Sequence, residues 1–395
     1  MTARPPVLDA GRAVQAARDQ SVLLAKDAAA RDADRRLPGP EVDALSASGL
    51  LGITVPAAYG GPGLRASVAA EVFRLLATGD PNVAQIPQSH FVYVRALRDR
   101  ATPEQQSFFF GEVLAGRRFG NAQAEPGTRH VRDLRTTLTP DGDGWRLDGV
   151  KGYSTGALFA DWIPVLAHRG DGGPLAVAWV RRDAGGVEVV DDWNGLGQRT
   201  TASGTVRLSG VRVAAEHVTG YAETFDGPQV HGAFAQLLHA AIDTGIARAA
   251  LGDAAEFVRA ASRPYPDAGV DRHADDPLVA QAFGELEVAV RSAEALLHAA
   301  GRAVDAADRD LDTGSAREAG LAVAAVRVAS SRAAVEAGSR LFELGGTRSA
   351  LATLNLDRHW RNARTHTLHD PAAWKLQHLG RWIAGGAEPP NHPQF

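Results

Sequence analysis

The sequence predicts an α+β fold in which a central β region separates two helical regions. Ala-rich stretches with apolar residues at helical spacing fill the beginning and the end of the chain. Between them lie alternating, β-rich runs punctuated by Asp-Gly pairs. We therefore expect three units: a helical domain over residues 1–115, a β domain over 116–224 and a helical bundle over 225–395.

The first unit reads as helices joined by short loops. The stretches DAGRAVQAARDQSVLLAKDAAA and GPEVDALSASGLLGI both show helical spacing of apolar residues. The loop VPAAYGGPGL, which contains Pro56 and three glycines, interrupts this pattern. The next helix is expected to begin near Ala66.

The second unit reads as strands. TTLTPDGDGWRLDGVKGYS alternates and carries Asp-Gly pairs, which is a strong hairpin signal. PLAVAWVRRD, GVEVVDDW and GTVRLSGVRV continue the β-rich pattern. These runs predict a compact β domain.

The third unit contains long Ala-rich stretches with broad apolar faces, which are expected to pack as a bundle. Small side chains permit close approach between helices or between subunits. The stretches are FAQLLHAAIDTGIARAALGDAAEFVRAA, PLVAQAFGELEVAVRSAEALLHAAGRAVDAA and SAREAGLAVAAVRVASSRAAVEAGSRLFEL.

Composition and motifs exclude several classes of function. The net charge of −4 provides no electrostatic case for binding nucleic acid. The N-terminus has no apolar signal core, and no apolar run is long enough to span a bilayer, so we expect a cytoplasmic protein without membrane contact. Because CxxC, HExxH and P-loop motifs are absent, we expect no metal site and no Walker-type nucleotide site.

Sulfur-containing residues are unusually scarce. The 395 residues include no cysteine and one methionine, Met1. One interpretation is a protein made when sulfur is limiting. A second is a site that generates a peroxide-level oxidant, which attacks thiols and thioethers. The third is compositional drift, and the sequence leaves all three open.

Six segments, in this order, are similar to those of the acyl-CoA dehydrogenase superfamily of flavoproteins over nearly the whole chain. The resemblance implies an N-terminal helical domain, a central β-barrel or sandwich and a C-terminal four-helix bundle. The segments are VPAAYGGPGL, GNAQAEPGT, DGWRLDGVKGYSTGALFADW, GLGQRTTASGTVRLSGVRV, LFELGGTR and RHWRNARTHTLHDPAAW.

Within that superfamily the chain most resembles the reduced-flavin monooxygenases, particularly the dibenzothiophene monooxygenases and sulfur-acquisition oxidoreductases. The motif THTLHDP carries two histidines, His366 and His369. His90 and Ser154 lie where that branch places active-site groups. Ala124, in AEP, lies where the dehydrogenases usually carry a Thr that contacts the flavin.

The resemblance implies the second component of a two-component system. Such an enzyme uses FMNH2 and O2, passes through a C4a-hydroperoxyflavin and transfers one oxygen atom to a small organosulfur compound such as a sulfone, sulfide or thiophene. A separate NAD(P)H:flavin reductase would supply FMNH2, since nothing in the sequence reads as a nicotinamide-binding unit. The resemblance also implies a homo-oligomer, which we expect to be a tetramer.

Histidines are the leading catalytic candidates, because imidazole gives and takes protons near neutral pH. We expect His369 to be the peroxide-side group, at the end of a helix terminated by the following Asp370-Pro371 pair. His366, one turn earlier, could orient His369 or contact substrate. His90 and Tyr93 could enter the same pocket from an N-terminal helix.

Other residues are candidates for holding the flavin. Short polar side chains and one tryptophan fall on segments that flank the ring in this superfamily. Two arginines are candidates for the FMN phosphate, and the family likeness suggests that they serve the flavin of a neighbouring subunit. The ring candidates are Asn121, Ser154, Thr155, Trp193 and Ser203, with His369 beside the flavin, and the phosphate candidates are Arg263 and Arg348.

Two alternatives remain at this stage. In an FAD-dependent dehydrogenase or a nitroalkane-oxidase-like enzyme, Asp370 would be the proton-abstracting base. In a non-catalytic helical scaffold, no flavin would bind.

Overall fold

The described part of the chain follows the predicted order of helices and strands. A computed structural model describes residues 4–395, and over that range there are twelve α-helices and seven β-strands. Seven helices come first, the strands follow, and five helices complete the chain.

The N-terminal helices begin at recognisable capping residues. Asp9 caps α1 with its carboxylate, and Thr102 and Gln105 form a capping box at the start of α7. The stretch 9–30 forms two helices rather than one, because a turn at residues 26–27 interrupts it. The helices are α1 (Ala10–Ala25), α2 (Ala28–Asp34), α3 (Gly39–Ala47), α4 (Ala66–Gly79), α5 (Pro81–Gln85), α6 (Gln88–Arg100) and α7 (Pro103–Leu114).

The β domain is one seven-stranded sheet of order β5-β6-β2-β1-β3-β4-β7. The predicted hairpin joins β1 and β2, whose register pairs Asp141 with Gly144. Strands β4 and β6 come into contact although three strands separate them, so the sheet curls around its own apolar core. The strands are β1 (Thr137–Asp141), β2 (Gly144–Lys151), β3 (Trp162–Arg169), β4 (Leu175–Arg181), β5 (Val187–Val190), β6 (Thr205–Ala214) and β7 (Val218–Gly220).

Three long helices dominate the C-terminal region. They pack together, and α4 lies against two of them, α8 and α9, so both helical regions share one core. Gly245 in α8 makes this possible, since a Cβ there would lie 2.5 Å from the Arg74 carbonyl oxygen of α4. The helices are α8 (His231–Ala260), α9 (Pro277–Arg309), α10 (Thr313–Gly345), α11 (Arg358–His366) and α12 (Ala372–Gly385).

An aromatic cluster fastens the sheet to the N-terminal helices. The Trp179 ring of β4 lies 4.5 Å from the ring of Phe109 and 4.9 Å from that of Phe119, measured between centroids. Trp179 is only 1% exposed, so its large apolar surface contributes fully to this contact. The β domain is thereby held in one orientation over the helices.

No helix within residues 4–395 combines the length and apolar character needed to cross a membrane.

Candidate functional site

Three imidazoles meet where α8 passes the end of α11. His239 Nδ1 lies 3.2 Å from His366 Nε2, and the rings of His239 and His369 are 4.0 Å apart between centroids. His366 Nε2 also lies 3.0 Å from the side-chain oxygen of Gln85 in α5. We call His239, His366 and His369 the histidine cluster.

A buried ion pair between Asp243 and Arg327 contacts this cluster through His366. His366 Nδ1 lies 2.6 Å from Asp243 Oδ1, and the Arg327 guanidinium donates to Asp243 Oδ2 at 2.6 Å. Ser331 Oγ donates to the same carboxylate oxygen, and Arg327 donates to the side chain of Gln236. Burial opposes ionisation of Asp243, but the charges of His366 and Arg327 outweigh it, and its pKa is lowered.

His369 is the exposed member of the histidine cluster. The residue is exposed to solvent, yet enough protein surrounds its imidazole for desolvation to be the main cause of a lowered pKa. The positive charges of His366 and Arg327 lower this pKa further. His369 is therefore neutral at physiological pH, with one ring nitrogen able to accept a proton and the N–H of the other able to donate a hydrogen bond.

The expectation that His369 ends the helix is wrong. Helix α11 ends at His366, and the His369 N–H donates to the His366 carbonyl in the turn that follows. The turn continues into Asp370 and Pro371, and α12 begins directly afterwards. His369 consequently lies on a connection between two helices, where its ring folds back onto α8.

A second polar cluster lies at the end of the sheet. Ser203 Oγ lies 2.7 Å from both Thr155 Oγ1 and Thr201 Oγ1. The adjacent Ser154 is fully buried, and Asn121 donates from its side-chain amide to the Tyr153 carbonyl. We call Asn121, Ser154, Thr155, Thr201 and Ser203 the hydroxyl cluster.

Several polar atoms in this region have no hydrogen-bond partner among the described residues. They are Asn121 Oδ1, Ser154 Oγ and both side-chain amide atoms of Gln198. Leaving such atoms buried and unpaired costs about 1–3 kcal/mol each, so native proteins usually pair them. These atoms suit the ring nitrogens and oxygens of a flavin, which offer both donors and acceptors.

Two connections bring the clusters together. The Gly197 N–H donates to Thr365 Oγ1 at 2.9 Å, and the Gln198 N–H donates to Asn362 Oδ1 at 2.7 Å, so this loop is bound to α11. Trp193 belongs to the same loop and donates from its indole to the Gln198 carbonyl at 2.7 Å.

The second connection runs through the end of α5. Gln85 reaches the histidine cluster, and the next residue, Ile86, places its carbonyl against Gly156, directly after Thr155. The two clusters therefore belong to one region of the molecule.

His90 and Tyr93 are buried in α6. Both ring nitrogens of His90 are hydrogen-bonded to backbone groups. Nε2 donates to the Leu51 carbonyl at 3.0 Å, and Nδ1 accepts from the Phe119 N–H at 3.1 Å. Burial lowers the pKa of His90 to about 4 and raises that of Tyr93. The Tyr93 hydroxyl lies near the side chain of Gln123, but no described residue meets it with full hydrogen-bond geometry.

The two arginines lie far from the histidine cluster within one chain. Arg348, which follows α10, donates to the Ala261 carbonyl at 2.6 Å. Arg263 is exposed two residues after Ala261, in the loop that follows α8. The rise of about 1.5 Å per helical residue places the end of α8, at Ala260, roughly 30 Å from His239. One FMN molecule does not extend over that distance from ring to phosphate.

Asp370 forms an ion pair with Lys375 of α12. Lys375 also donates to the Gln394 carbonyl, so the carboxylate is held against the C-terminal segment. A carboxylate committed to a lysine in this way is poorly suited to abstract a proton from carbon.

His239, Asp243 and Arg327 are not among the residues that the sequence patterns predicted for the site. His239 and Asp243 are spaced i, i+4 on α8, so they share one face of that helix. Two ionisable residues inside an Ala-rich, otherwise apolar run were a usable signal, because such residues are seldom fully buried without partners. Arg327 has the same character in α10. Within residues 4–395, no group of three His, Cys, Asp or Glu side chains has a metal-holding arrangement.

Comparison with known proteins first identifies the class to which this three-part fold belongs. Residues 13–117, 121–211 and 237–373 match the N-terminal, middle and C-terminal domains of acyl-CoA dehydrogenases. These domains define a class of three-domain flavoproteins, and their order is that of the helices and strands described above.

The chain belongs to the acyl-CoA dehydrogenase family, and its relatives include flavin-dependent monooxygenases. It is 32% identical to a dibenzothiophene monooxygenase of Mycolicibacterium goodii, over 87% of this chain and 86% of the relative. It is 32% identical to SfnC of Pseudomonas putida, a probable FMNH2-dependent monooxygenase, over 95% and 96%. FMN-bound TdsC from Paenibacillus sp. A11-2 superposes with a TM-score of 0.92 at 30% identity, covering 97% and 100%. The predicted superfamily, branch and fold class are confirmed.

Proposed function

We propose that this protein is an FMNH2-dependent monooxygenase that oxygenates a small organosulfur compound. When bound, reduced FMN would supply the electrons and the site at which O2 reacts. The observation that carries the proposal is the joining of two clusters in one region: unpaired polar atoms suited to a flavin ring, and a neutral imidazole beside them. The named activities of the relatives and the FMN in TdsC support it.

The hydroxyl cluster would hold the flavin ring. Asn121 Oδ1 and Ser154 Oγ are free to accept or to complete hydrogen bonds, and Ser203 and Thr155 stand beside them. Trp193 is half-buried and is anchored by its indole N–H, and it would pack against one side of the flavin ring.

The histidine cluster would handle protons on the oxygen side. His369 is neutral, so the N–H of its ring can donate a hydrogen bond to an oxygen-bearing group while the other ring nitrogen accepts a proton. His366 would orient it through His239. Tyr93 and His90 would have secondary roles: the buried Tyr93 hydroxyl is available as a donor, and His90 fixes the backbone of Phe119, two residues before Asn121.

The arginines support an oligomer. Arg263 and Arg348 lie too far from the histidine cluster to serve the same flavin, yet they occur together on a single exposed surface. We propose that they bind the FMN phosphate of a neighbouring subunit in a homotetramer.

The substrate and partner follow from the same reasoning. The absence of cysteine suits an enzyme expressed during sulfur limitation, when the cell scavenges sulfur from sulfones, sulfides or thiophenes. A separate NAD(P)H:flavin reductase would provide FMNH2, and the pair would work in the cytoplasm, where NAD(P)H is available. The domain limits 1–115, 116–224 and 225–395 are proposed as its structural units.

The test is an isotope experiment. The purified protein is mixed with a flavin reductase, NADH, FMN and ¹⁸O2, and a panel of organosulfur compounds is screened by mass spectrometry. We expect one ¹⁸O atom in the product and no product when FMN is omitted. Retention of FAD through purification, with anaerobic bleaching by an acyl-CoA and no ¹⁸O incorporation, would instead establish the dehydrogenase alternative.

A further inference from the structure

A fully buried carboxylate, Asp243, lies beside the histidine cluster and is not among the residues proposed to hold the flavin. Asp243 is 0% exposed and accepts from three side chains, two of which are cationic or can become so. It is carried by α8, Arg327 by α10 and His366 by the end of α11. A buried carboxylate of this kind is tolerated only where its partners compensate its charge.

The contacts of His366 place an oxygen acceptor beside each of its ring nitrogens. Nδ1 faces the Asp243 carboxylate, an acceptor, and Nε2 faces the side-chain oxygen of Gln85, another acceptor. An imidazole with acceptors on both nitrogens satisfies them only when both nitrogens carry hydrogens. The Nε2–H also points toward His239 Nδ1, which must then accept, leaving the hydrogen of His239 on Nε2.

We propose that Asp243, together with Arg327, is a positioning residue that keeps both ring nitrogens of His366 protonated and thereby fixes the tautomer and orientation of His239 against His369. The proposal rests on the monooxygenase function proposed above. His239 transmits the effect because its ring packs directly on that of His369. A doubly protonated His366 would also disfavour protonation of His369.

Several charged or titratable groups surround the histidine cluster. The guanidinium of Arg327 opposes a positive charge on His366, whereas Asp243, which contacts the His366 ring directly, favours it. Besides its own three histidines, the cluster is surrounded by Asp243 from α8, Arg327 from α10 and the Lys375–Asp370 pair that follows α11.

The test removes the charges of Asp243 and Arg327 in one variant. Asp243→Asn alone leaves the guanidinium of Arg327 buried without its partner and risks unfolding, so the double variant Asp243→Asn/Arg327→Met is the main one. Asn keeps an acceptor for Nδ1 but no charge, and Met fills a similar volume.

The matched control is Asp253→Asn. Asp253 also joins α8 to α11, through His359 at 2.7 Å and Arg358 at 2.6 Å, without touching the histidine cluster.

The first readout needs neither flavin nor substrate. Nitrogen-15 NMR of imidazole-labelled protein, assigned with a His366→Gln sample, reports which ring nitrogens carry hydrogens. We expect His366 to be doubly protonated at pH 7.5 in the parent and in Asp253→Asn, and singly protonated in the double variant. A parent with a neutral His366, or a double variant in which His366 stays doubly protonated, overturns the proposal.

The second readout is the product formed per FMNH2 consumed. Since a positioned acid–base group contributes roughly 10²–10⁴-fold, we expect at least about a tenfold loss in the double variant and none in the control. A double variant that alters the NMR signals but remains fully coupled also overturns the proposal. If the parent oxygenates nothing, the monooxygenase function fails, while the NMR result still decides whether Asp243 protonates His366.

Discussion

Replacing Gly197 by alanine tests how tightly the loop that carries Trp193 must be held against α11. A Cβ at this position would lie 2.0 Å from the Arg361 carbonyl oxygen, 2.2 Å from its carbonyl carbon and 2.6 Å from the Asn362 nitrogen. All three are backbone atoms, so no side-chain rotation relieves the overlap. We expect Gly197→Ala to push the loop and α11 apart.

The size of the effect follows from these distances. Cβ contacts below 3.0 Å essentially do not occur, so a contact of 2.0 Å requires a displacement of at least about 1 Å. The shift breaks the hydrogen bonds from the Gly197 and Gln198 N–H groups, each contributing about 1 kcal/mol. With overpacking strain of about 1 kcal/mol or more, the free energy of unfolding should fall by roughly 2–4 kcal/mol.

The variant should lose more activity than partial unfolding alone would explain. A misplacement of about 1 Å between reacting groups can cost about 100-fold in rate. Because the loop carries Trp193 and α11 leads into His366, the variant should bind FMN more weakly and release most reducing equivalents as H2O2.

The assay combines urea unfolding, FMN titration by fluorescence and the ratio of product to H2O2. Gly185→Ala is the matched control, since a Cβ at Gly185 in the same β domain meets nothing within 4 Å. A Gly197→Ala protein with the parent's stability, FMN affinity and coupling would refute the claim that this contact aligns the two clusters.

Three further predictions concern single side chains. His369→Ala should leave folding and FMN binding largely intact while H2O2 replaces product, and unchanged oxygenation would remove His369 from the mechanism. Ser203→Ala deletes a hydroxyl shared by two threonines, and we expect FMN to dissociate about 5- to 10-fold more readily, measured by fluorescence titration. Burial, only partly offset by Glu125, lowers the pKa of Lys151 to about 8. Between pH 8 and about 10.5 the unfolded chain therefore binds more protons, and the free energy of unfolding should rise by about 3 kcal/mol; Lys151→Met should abolish that rise in urea unfolding.

Each of these variants has a control at an exposed position. His298→Ala, Ser209→Ala and Lys26→Met change the same residue types where the side chains face solvent. Coupling, FMN affinity and the pH dependence of unfolding should match the parent in these proteins. A control that behaves like its partner variant would show a general effect of composition rather than a local one.

Local sequence patterns predicted most helices and strands, because these elements depend largely on residues that are neighbours in the sequence. The long helices show the apolar spacing of their buried faces, and the hairpin of β1 and β2 is signalled by its Asp-Gly turn. Strand β3 is different: residues 162–167 are all buried, so it lacks the alternation that reveals a half-exposed strand. The split of the first helix likewise depends on a turn that apolar spacing does not reveal.

The amino-acid sequence is enough to predict the order of the domains, the family and the motif that carries His366 and His369. Only the tertiary structure showed which residues support these histidines. Asp243 lies 123 residues before its partner His366, and Arg327 lies 84 residues after its partner Asp243. Side chains so far apart meet only when three helices pack, and no spacing rule links them. The tertiary structure also showed that His90 serves the backbone and that Asp370 is paired with a lysine, since hydrogen bonding depends on what folds against each side chain.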